Sequence, residues 1–457
     1  MPTFDVVVIG AGPAGEVAAG RLGEHGLKVA IVEDRLVGGE CSFWACMPSK
    51  SLLRPYEALA EVRRIPGARE AADGRLDVQA ALDRRDEVIH DLDDASQLPW
   101  LDDRDVRLYR GQGRLTAERR VTVGDEELEV RRAVILATGS LPAMPPIEGL
   151  DAVDDAWTNR EATTAKRVPA HLVVMGGGTV GVELSQAFRT LGSDVTLIEG
   201  ERRLMPREEE YACEQVTEAL RALGVDIRTG QKAMKVEQDG DGTVTVTTTD
   251  GGTAAGDTLL VALGRTPQTA ALGLEDLGLP AGRPVAVDAH MRVPEHPWLY
   301  AIGDVNGRAL FTHMGKYQVR VAADHILGHD VALSHGADGP LSPRVTFTDP
   351  QIATVGHTTA SARDSGMVVD VYDAPTSGNA GGSFYGREAP GTARWIVDRE
   401  RRIVVGCTIT GSEVADFLHA ATIAVVGEVP LERLRHAVPA FPTRSEIWLS
   451  LLEQAGV

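Results

Sequence analysis

The chain has 457 residues, too many for one hydrophobic core, so roughly two to four domains are expected. Apolar residues at 43% and charged residues at 25% fit a soluble globular protein, and the formal net charge of -20 disfavours nucleic acid or anionic lipid, whose phosphates call for a basic face. No run of about 18 apolar residues suggests a membrane span, and 4 cysteines are too few for a secreted disulfide framework, so a cytoplasmic location without nucleic-acid or membrane partners is expected.

The first run, MPTFDVVVIG, has no basic segment and carries Asp5 just before its apolar residues. It reads as a buried strand rather than a secretory signal. Residues 4–33, FDVVVIGAGPAGEVAAGRLGEHGLKVAIVE, run strand, glycine-rich turn, helix, strand and acid. VVVI suits a strand buried on both faces of a parallel sheet. Gly10 allows the tight turn, Gly12 lets the backbone approach a pyrophosphate, and Gly15 lets the helix pack on the strand. Glu33 ends the second strand, where a carboxylate can accept hydrogen bonds from a ribose diol. A glycine-rich turn without a ligand is the structural alternative, but the strand, the helix and the spacing of the acid favour a nucleotide.

GGECSFWACMPSK follows, placing Cys41 and Cys46 at the mouth of that nucleotide unit. A thiol pair there points to electron transfer. Two reduced core cysteines, or an inert disulfide, are the alternatives. Residues 50–97 look helical and charged, 105–140 look strand-rich, and LPAMPPI at 141–147 is a proline-rich break. Residues 171–199, HLVVMGGGTVGVELSQAFRTLGSDVTLIE, repeat the first unit with Gly176, Gly178, Gly181 and Glu199. Two such units imply two nucleotide sites. A carboxylate at 199 favours NADH by repelling the extra phosphate of NADPH. Arg202 and Arg203 follow closely, either as acceptors for that phosphate or as solvated charges. Further boundaries are expected near 270 and within 329–343. From 344 onward, strands (VTFT, ARWIVD, RIVVGCTIT) mix with helices (EVADFLHAATIAVVG, SEIWLSLLEQ), an α+β module after an α/β body.

With these residues in view, the chain resembles the class I pyridine nucleotide-disulfide oxidoreductases, the family of lipoamide dehydrogenase, glutathione reductase and mercuric reductase. The likeness spans almost the whole chain and rests on several motifs. GGECSFWACMPSK is similar to the redox-active segment. ILATGS (135–140) and ALGRTP (262–267) are similar to its strand-turn segments, and WLYAIGDV (298–305) to its second flavin signature, with Asp304 as the aspartate. TDPQIATVG, from 348, resembles the start of the dimerisation domain.

The resemblance implies an α/β fold with two Rossmann-like dinucleotide-binding domains and a C-terminal α+β dimerisation domain. Their expected bounds are 1–147 with 271–333 for FAD, 148–270 for NAD(P)H, and 334–457 for dimerisation. It implies FAD in the first unit, NADH (NADPH possible) in the second, a homodimer, and no resident metal. Gly113 and Ser140 would add flavin contacts, Asp304 would bond the ribityl chain, and Gly264 would border the nicotinamide. Electrons would pass from nicotinamide through flavin to a Cys41–Cys46 disulfide, with Cys46 facing the flavin and Cys41 facing the substrate. Nearby positive charge and a helix N-terminus would lower the thiol pKa for exchange. Lys50 would stand beside the flavin, paired with Glu183, although by itself it could be an ordinary surface lysine.

FPTRSE, from 441, departs from the family pattern. Disulfide-reducing members have a histidine where this chain has Phe441, and Glu446 keeps the place of the glutamate that orients it. His436 and His419 do not match the slot. Phenylalanine cannot move a proton, and such assistance contributes about a hundred- to ten-thousand-fold. The chain also ends SLLEQAGV, without the C-terminal cysteine pair of mercuric reductase. Ser42, Phe43 and Trp44, bulkier than usual, either line an aromatic approach with Phe441 or pack inward. The expected activity is therefore electron delivery to a small acceptor of quinone or diaphorase type. A low-molecular-weight disulfide reductase with another proton source is the alternative, and a non-catalytic flavin-binding redox sensor a more remote one.

Overall fold

Alternate residues of the first strand, β1 (Thr3–Ile9), enter two different cores. Val6 and Val8 pack with Ala18, Ala19 and Leu22 of helix α1 (Pro13–Glu24), while Val7 and Ile9 pack with Leu115, Val121 and Leu299. A strand covered on both faces needs apolar residues at every position, which is why VVVI shows no alternation. Burying each such side chain contributes about 1.5–3 kcal/mol. The repeat at His171–Met175 does the same: Leu172 and Val174 face Val182 and Phe188, whereas Val173 and Met175 face Val236 and Val246.

The computed structural model describes residues 1–72, 74–334, 338–386, 389 and 391–457. Of the boundary stretch expected at 329–343, residues 335–337 lie outside those described. The chain divides into two compact units. The first comprises Met1–Pro48, Arg85–Ala143 and Arg265–Pro340. Its sheet is built on β1, which pairs in parallel with β2 (Val29–Glu33) on one side and with Glu126–Leu136 on the other. Leu299–Ala301 then adds in parallel beside Val134–Leu136. The second fingerprint and the C-terminal module both fall in the other unit, Ser49–Arg84, Met144–Gly264 and Leu341–Val457. Its parallel sheet runs Asp226–Thr229, Asp194–Glu199, His171–Met175, Thr258–Val261. The C-terminal module is a five-stranded antiparallel sheet, ordered Arg344–Thr346, Gln351–Gly356, Ile403–Gly411, Thr392–Asp398, Val369–Pro375. This is the α/β body with a C-terminal α+β module that the pattern implied.

Among the described residues, no helix is long and apolar enough to cross a membrane. The segment after β2 forms helix α2 (Gly39–Phe43) and then helix α3 (Cys46–Arg64), so Cys41 lies inside one helix and Cys46 begins the next.

Candidate active site

The two glycine-rich turns are built alike. Gly10 has φ +104° and Gly176 φ +109°, values that favour glycine. A Cβ on Gly15 would stand 1.9 Å from the Gly10 carbonyl oxygen, and one on Gly181 would stand 1.8 Å from that of Gly176. Neither helix start carries a side-chain cap, so Gly12 and Gly178 leave the first N–H groups open to an anion. A Cβ on either glycine would meet nothing within 4 Å, which is the bare space a backbone-bound phosphate needs. Gly39, at φ +58°, crosses so close that a Cβ would lie 2.8 Å from Gly12 Cα.

Each turn is strapped by its acid. Glu33 accepts the Ala11 N–H at 2.7 Å and the Arg35 N–H at 2.9 Å. Glu199 accepts the Gly177 N–H at 2.5 Å and the Glu201 N–H at 2.7 Å. Burial pushes the Glu33 carboxyl above its usual range, against the two N–H donors. Glu16, in the first turn of α1, is pushed up to about 7 by burial, opposed by Lys316 and reinforced by Glu33 and Asp94.

Ser140 and Asp304 meet: Ser140 Oγ donates to Asp304 Oδ2 at 2.6 Å. Arg265 completes the group, giving its Nε–H to Ser140 Oγ and a terminal N–H to the Ser140 carbonyl, each at 2.6 Å. Burial raises the Asp304 carboxyl, while Ser140 and Arg265 lower it. Arg265 was not singled out in the sequence, although it sits inside ALGRTP. Gly113 is a packing glycine, where a Cβ would come within 2.9 Å of Ile9 Cγ2 and 3.2 Å of Val32 Cγ1. Gly264, at φ +115°, has nothing within 4 Å of its Cβ position.

Cys41 and Cys46 stand as free thiols close enough to perturb each other. Cys46 Sγ also lies 3.6 Å from Thr312 Oγ1, a contact nothing in the local sequence announced. The expectation of a lowered thiol pKa is corrected for Cys41. The hydrogen bond to Cys46 and burial hold it well above the ordinary thiol value, and Thr312 and Lys316 only partly oppose them. Two thiols this close resist carrying two negative charges, so they titrate as a pair. Phe43 is only 1% exposed and packs inward, its ring 5.7 Å from Trp44, so it does not line an open approach.

Lys50 Nζ reaches Glu183 Oε2 at 2.8 Å and stands 4.9 Å from the centroid of Phe347. A cavity of about 320 Å³ opens here, lined by Lys50, Leu53, Arg54, Phe347 and Gln351 among others. At the far end of the chain, Phe441 is 77% exposed. The segment behind it is fixed by Arg444, which is buried between the rings of Tyr385 and Phe417 with centroids 4.3 and 4.7 Å away. Arg444 also donates to the Ser412 carbonyl. Glu446 immediately precedes the helix Ile447–Gln454, and its Oε2 is buried with no hydrogen-bond partner among the described residues.

Two nucleotide turns, a thiol pair at a helix start and a C-terminal antiparallel module define a flavin-type oxidoreductase architecture. Residues 4–325 match the pyridine nucleotide-disulphide oxidoreductase family and residues 342–451 match its dimerisation domain. Dihydrolipoyl dehydrogenase of Thermus scotoductus is 33% identical over 453 residues, covering 98% of this chain and 96% of that protein. Mercuric reductase of Lysinibacillus sphaericus is 30% identical, covering 97% and 81%. The solved structure of HOCl-induced flavoprotein disulfide reductase RclA from Escherichia coli superposes with TM-score 0.84 at 26% identity, covering 98% and 99%. The chain belongs to the pyridine nucleotide-disulfide oxidoreductase family and is an FAD-dependent enzyme that uses NAD(P)H. Its dimerisation domain supports a homodimer. The open turn at Gly12 and the Ser140–Asp304–Arg265 group fit a dinucleotide such as FAD, supplying backbone donors for phosphates and a buried carboxylate for hydroxyls.

Proposed function

We propose that this enzyme delivers electrons from NAD(P)H to a small acceptor of quinone or dye type, with Cys41 and Cys46 as a thiol redox centre. The observation that carries this reading is Phe441, an exposed phenyl ring in the slot where disulfide-reducing members hold an imidazole. Cleaving a disulfide by thiol attack releases a thiolate that must be protonated, and Phe441 has no proton to give. A quinone needs no such exchange. The cavity beside Lys50, near the small end of ligand pockets, has room for an acceptor about the size of one or two rings, and Glu57, Glu413 and Asp416 share its lining.

In this reading FAD would be held by the turn at Gly10, Gly12 and Gly15 with Glu33, Ser140 and Asp304, and Gly113 would add a contact. The nicotinamide nucleotide would be held by Gly176, Gly178, Gly181 and Glu199, and Gly264 would border it. The domains run 1–147 with 271–333, 148–270, and 334–457. FAD, when bound, supplies the two-electron chemistry linking nicotinamide to thiol or acceptor. The chain's own part is to bind and orient: Glu183 fixes the Lys50 ammonium, and Thr312 bonds the inner thiol.

A second reading, a low-molecular-weight disulfide reductase with another proton source, is favoured by one observation. Glu446 keeps the place of the orienting glutamate, and its Oε2 is buried with no hydrogen-bond partner among the described residues. Steady-state NADH oxidation by wild type and Cys41→Ser separates the two. Quinone turnover that survives the substitution, with little lipoamide reduction by wild type, is expected. Loss of all turnover in Cys41→Ser, together with rapid reduction of a disulfide by wild type, would overturn the acceptor proposed.

A further inference from the structure

The acid of the second fingerprint has basic neighbours that its own strand does not supply. Both Glu199 oxygens are committed to backbone N–H groups, which offsets part of their charge. The next residue, Gly200, has its side-chain space taken by another part of the chain. A Cβ on Gly200 would stand 2.7 Å from Lys232 Cγ, 3.2 Å from Cε and 3.5 Å from Cδ. Lys232 follows the strand Asp226–Thr229, and its loop is strapped to the strand end. The Gly230 N–H bonds the Glu201 carbonyl at 2.7 Å, and the Gln231 N–H bonds the Glu199 carbonyl at 3.1 Å. The lysine stem therefore lies along the bare Gly200 backbone, one residue beyond the acid. Its residue is exposed, and its ammonium has no ion-pair partner among the described residues.

The two arginines after Glu199 divide. Arg203 is turned into its own loop, donating to the Pro206 carbonyl at 3.0 Å and the Glu208 carbonyl at 3.3 Å, with Glu210 at 3.8 Å. Arg202 is exposed and has no hydrogen-bond or ion-pair partner among the described residues. Lys232, an available cation, thus lies one residue beyond the acid that in such a fingerprint meets the adenosine ribose, and the exposed Arg202 follows that acid three positions on in sequence. Glu201, also exposed, is the opposing charge besides Glu199.

We propose that Lys232, assisted by Arg202, seats the 2′-phosphate of NADPH, so that the enzyme accepts both nicotinamide nucleotides despite its fingerprint acid. Lys232 is then the specificity-determining residue, a point charge suited to a phosphate dianion. The proposal rests on the family's use of NAD(P)H and not on the identity of the acceptor.

The test is calorimetric titration of the FAD-loaded protein with adenosine 2′,5′-bisphosphate and with 5′-AMP. Wild type is expected to bind the bisphosphate at least as tightly as AMP, with the stronger salt dependence. In the Lys232→Gln/Arg202→Gln double variant, bisphosphate affinity relative to AMP should fall about tenfold or more, and Lys232→Arg should retain it. The ratio of kcat/KM for NADPH to that for NADH should fall in parallel. A wild type that binds AMP but rejects the bisphosphate would overturn the proposal. So would a double variant that loses both ligands equally, or one that keeps the wild-type ratio.

Discussion

Glu183 holds two parts of the chain at once: its Oε2 pairs with Lys50 Nζ at 2.8 Å, and its Oε1 accepts the Phe347 N–H at 2.9 Å. The carboxylate is only 3% exposed, whereas the lysine side chain keeps 34% of its surface. The helix Thr179–Leu191 of the second fingerprint thereby fixes the ammonium that begins the Lys50 cavity.

Glu183→Gln keeps the shape but removes the counter-charge. The expected loss of stability is about 2 kcal/mol, typical of a hydrogen bond to a charged group. Adding Lys50→Met should recover part of it, because an unmatched ammonium costs more than an apolar pair. Urea denaturation of both variants measures this, and a single-variant loss below about 0.5 kcal/mol would contradict the role assigned to the pair.

Phe441→His restores an imidazole to the C-terminal motif, where Glu446 still has an unpartnered oxygen. If the missing proton donor limits disulfide reduction, lipoamide turnover should rise by at least about tenfold, toward the hundred-fold or more that acid-base assistance supplies. Quinone turnover should change much less. Parallel assays with both acceptors decide it, and no gain on lipoamide would show that proton supply is not the limiting feature.

Glu16 gives a pH dependence of defined sign. Its folded pKa of about 7 lies above the usual 4.5, raised by burial, so the folded protein keeps a proton that the unfolded chain loses. This contribution to stability is complete below the unfolded pKa and is lost as pH rises through about 7. Glu16→Gln should flatten that decline and exceed wild type at pH 8 by up to about 3 kcal/mol. Guanidinium denaturation near pH 5 and pH 8, at equal flavin loading, makes the comparison. Equal slopes for the two proteins would rule out Glu16 as the cause.

Gly39→Ala would place a Cβ 2.8 Å from Gly12 Cα at a φ of +58°. The backbone strain falls at Gly39 and the collision on the first glycine-rich turn, so purified protein should carry markedly less flavin per chain. Absorbance at the flavin and protein bands reports it, with Gly26→Ala as a comparison: positive φ, but nothing within 4 Å of its Cβ position. Equal flavin content in the two variants would remove the steric argument.

Much of this enzyme was legible in its sequence because the responsible forces are local. The tight turns need glycine at fixed spacing, the doubly covered strands need unbroken apolar runs, and the thiol pair is set five positions apart along one segment. Phe441 was legible too, as a residue of the wrong chemistry in a known slot. Contacts between distant segments were not. Arg265 reaches Ser140 across 125 residues and Ser140 reaches Asp304 across 164, Thr312 reaches Cys46 across 266, and Lys232 fills the space at Gly200 from the loop after another strand. Nor could sequence give the direction of the Cys41 shift, which depends on burial and on the orientation of the second thiol. Sequence by itself determined the two nucleotide turns, the order of modules and the thiol centre, because backbone sterics and hydrophobic periodicity act between near neighbours. Tertiary structure alone decided which charges are spent and which remain available, because desolvation and ion pairing depend on what folding brings into contact.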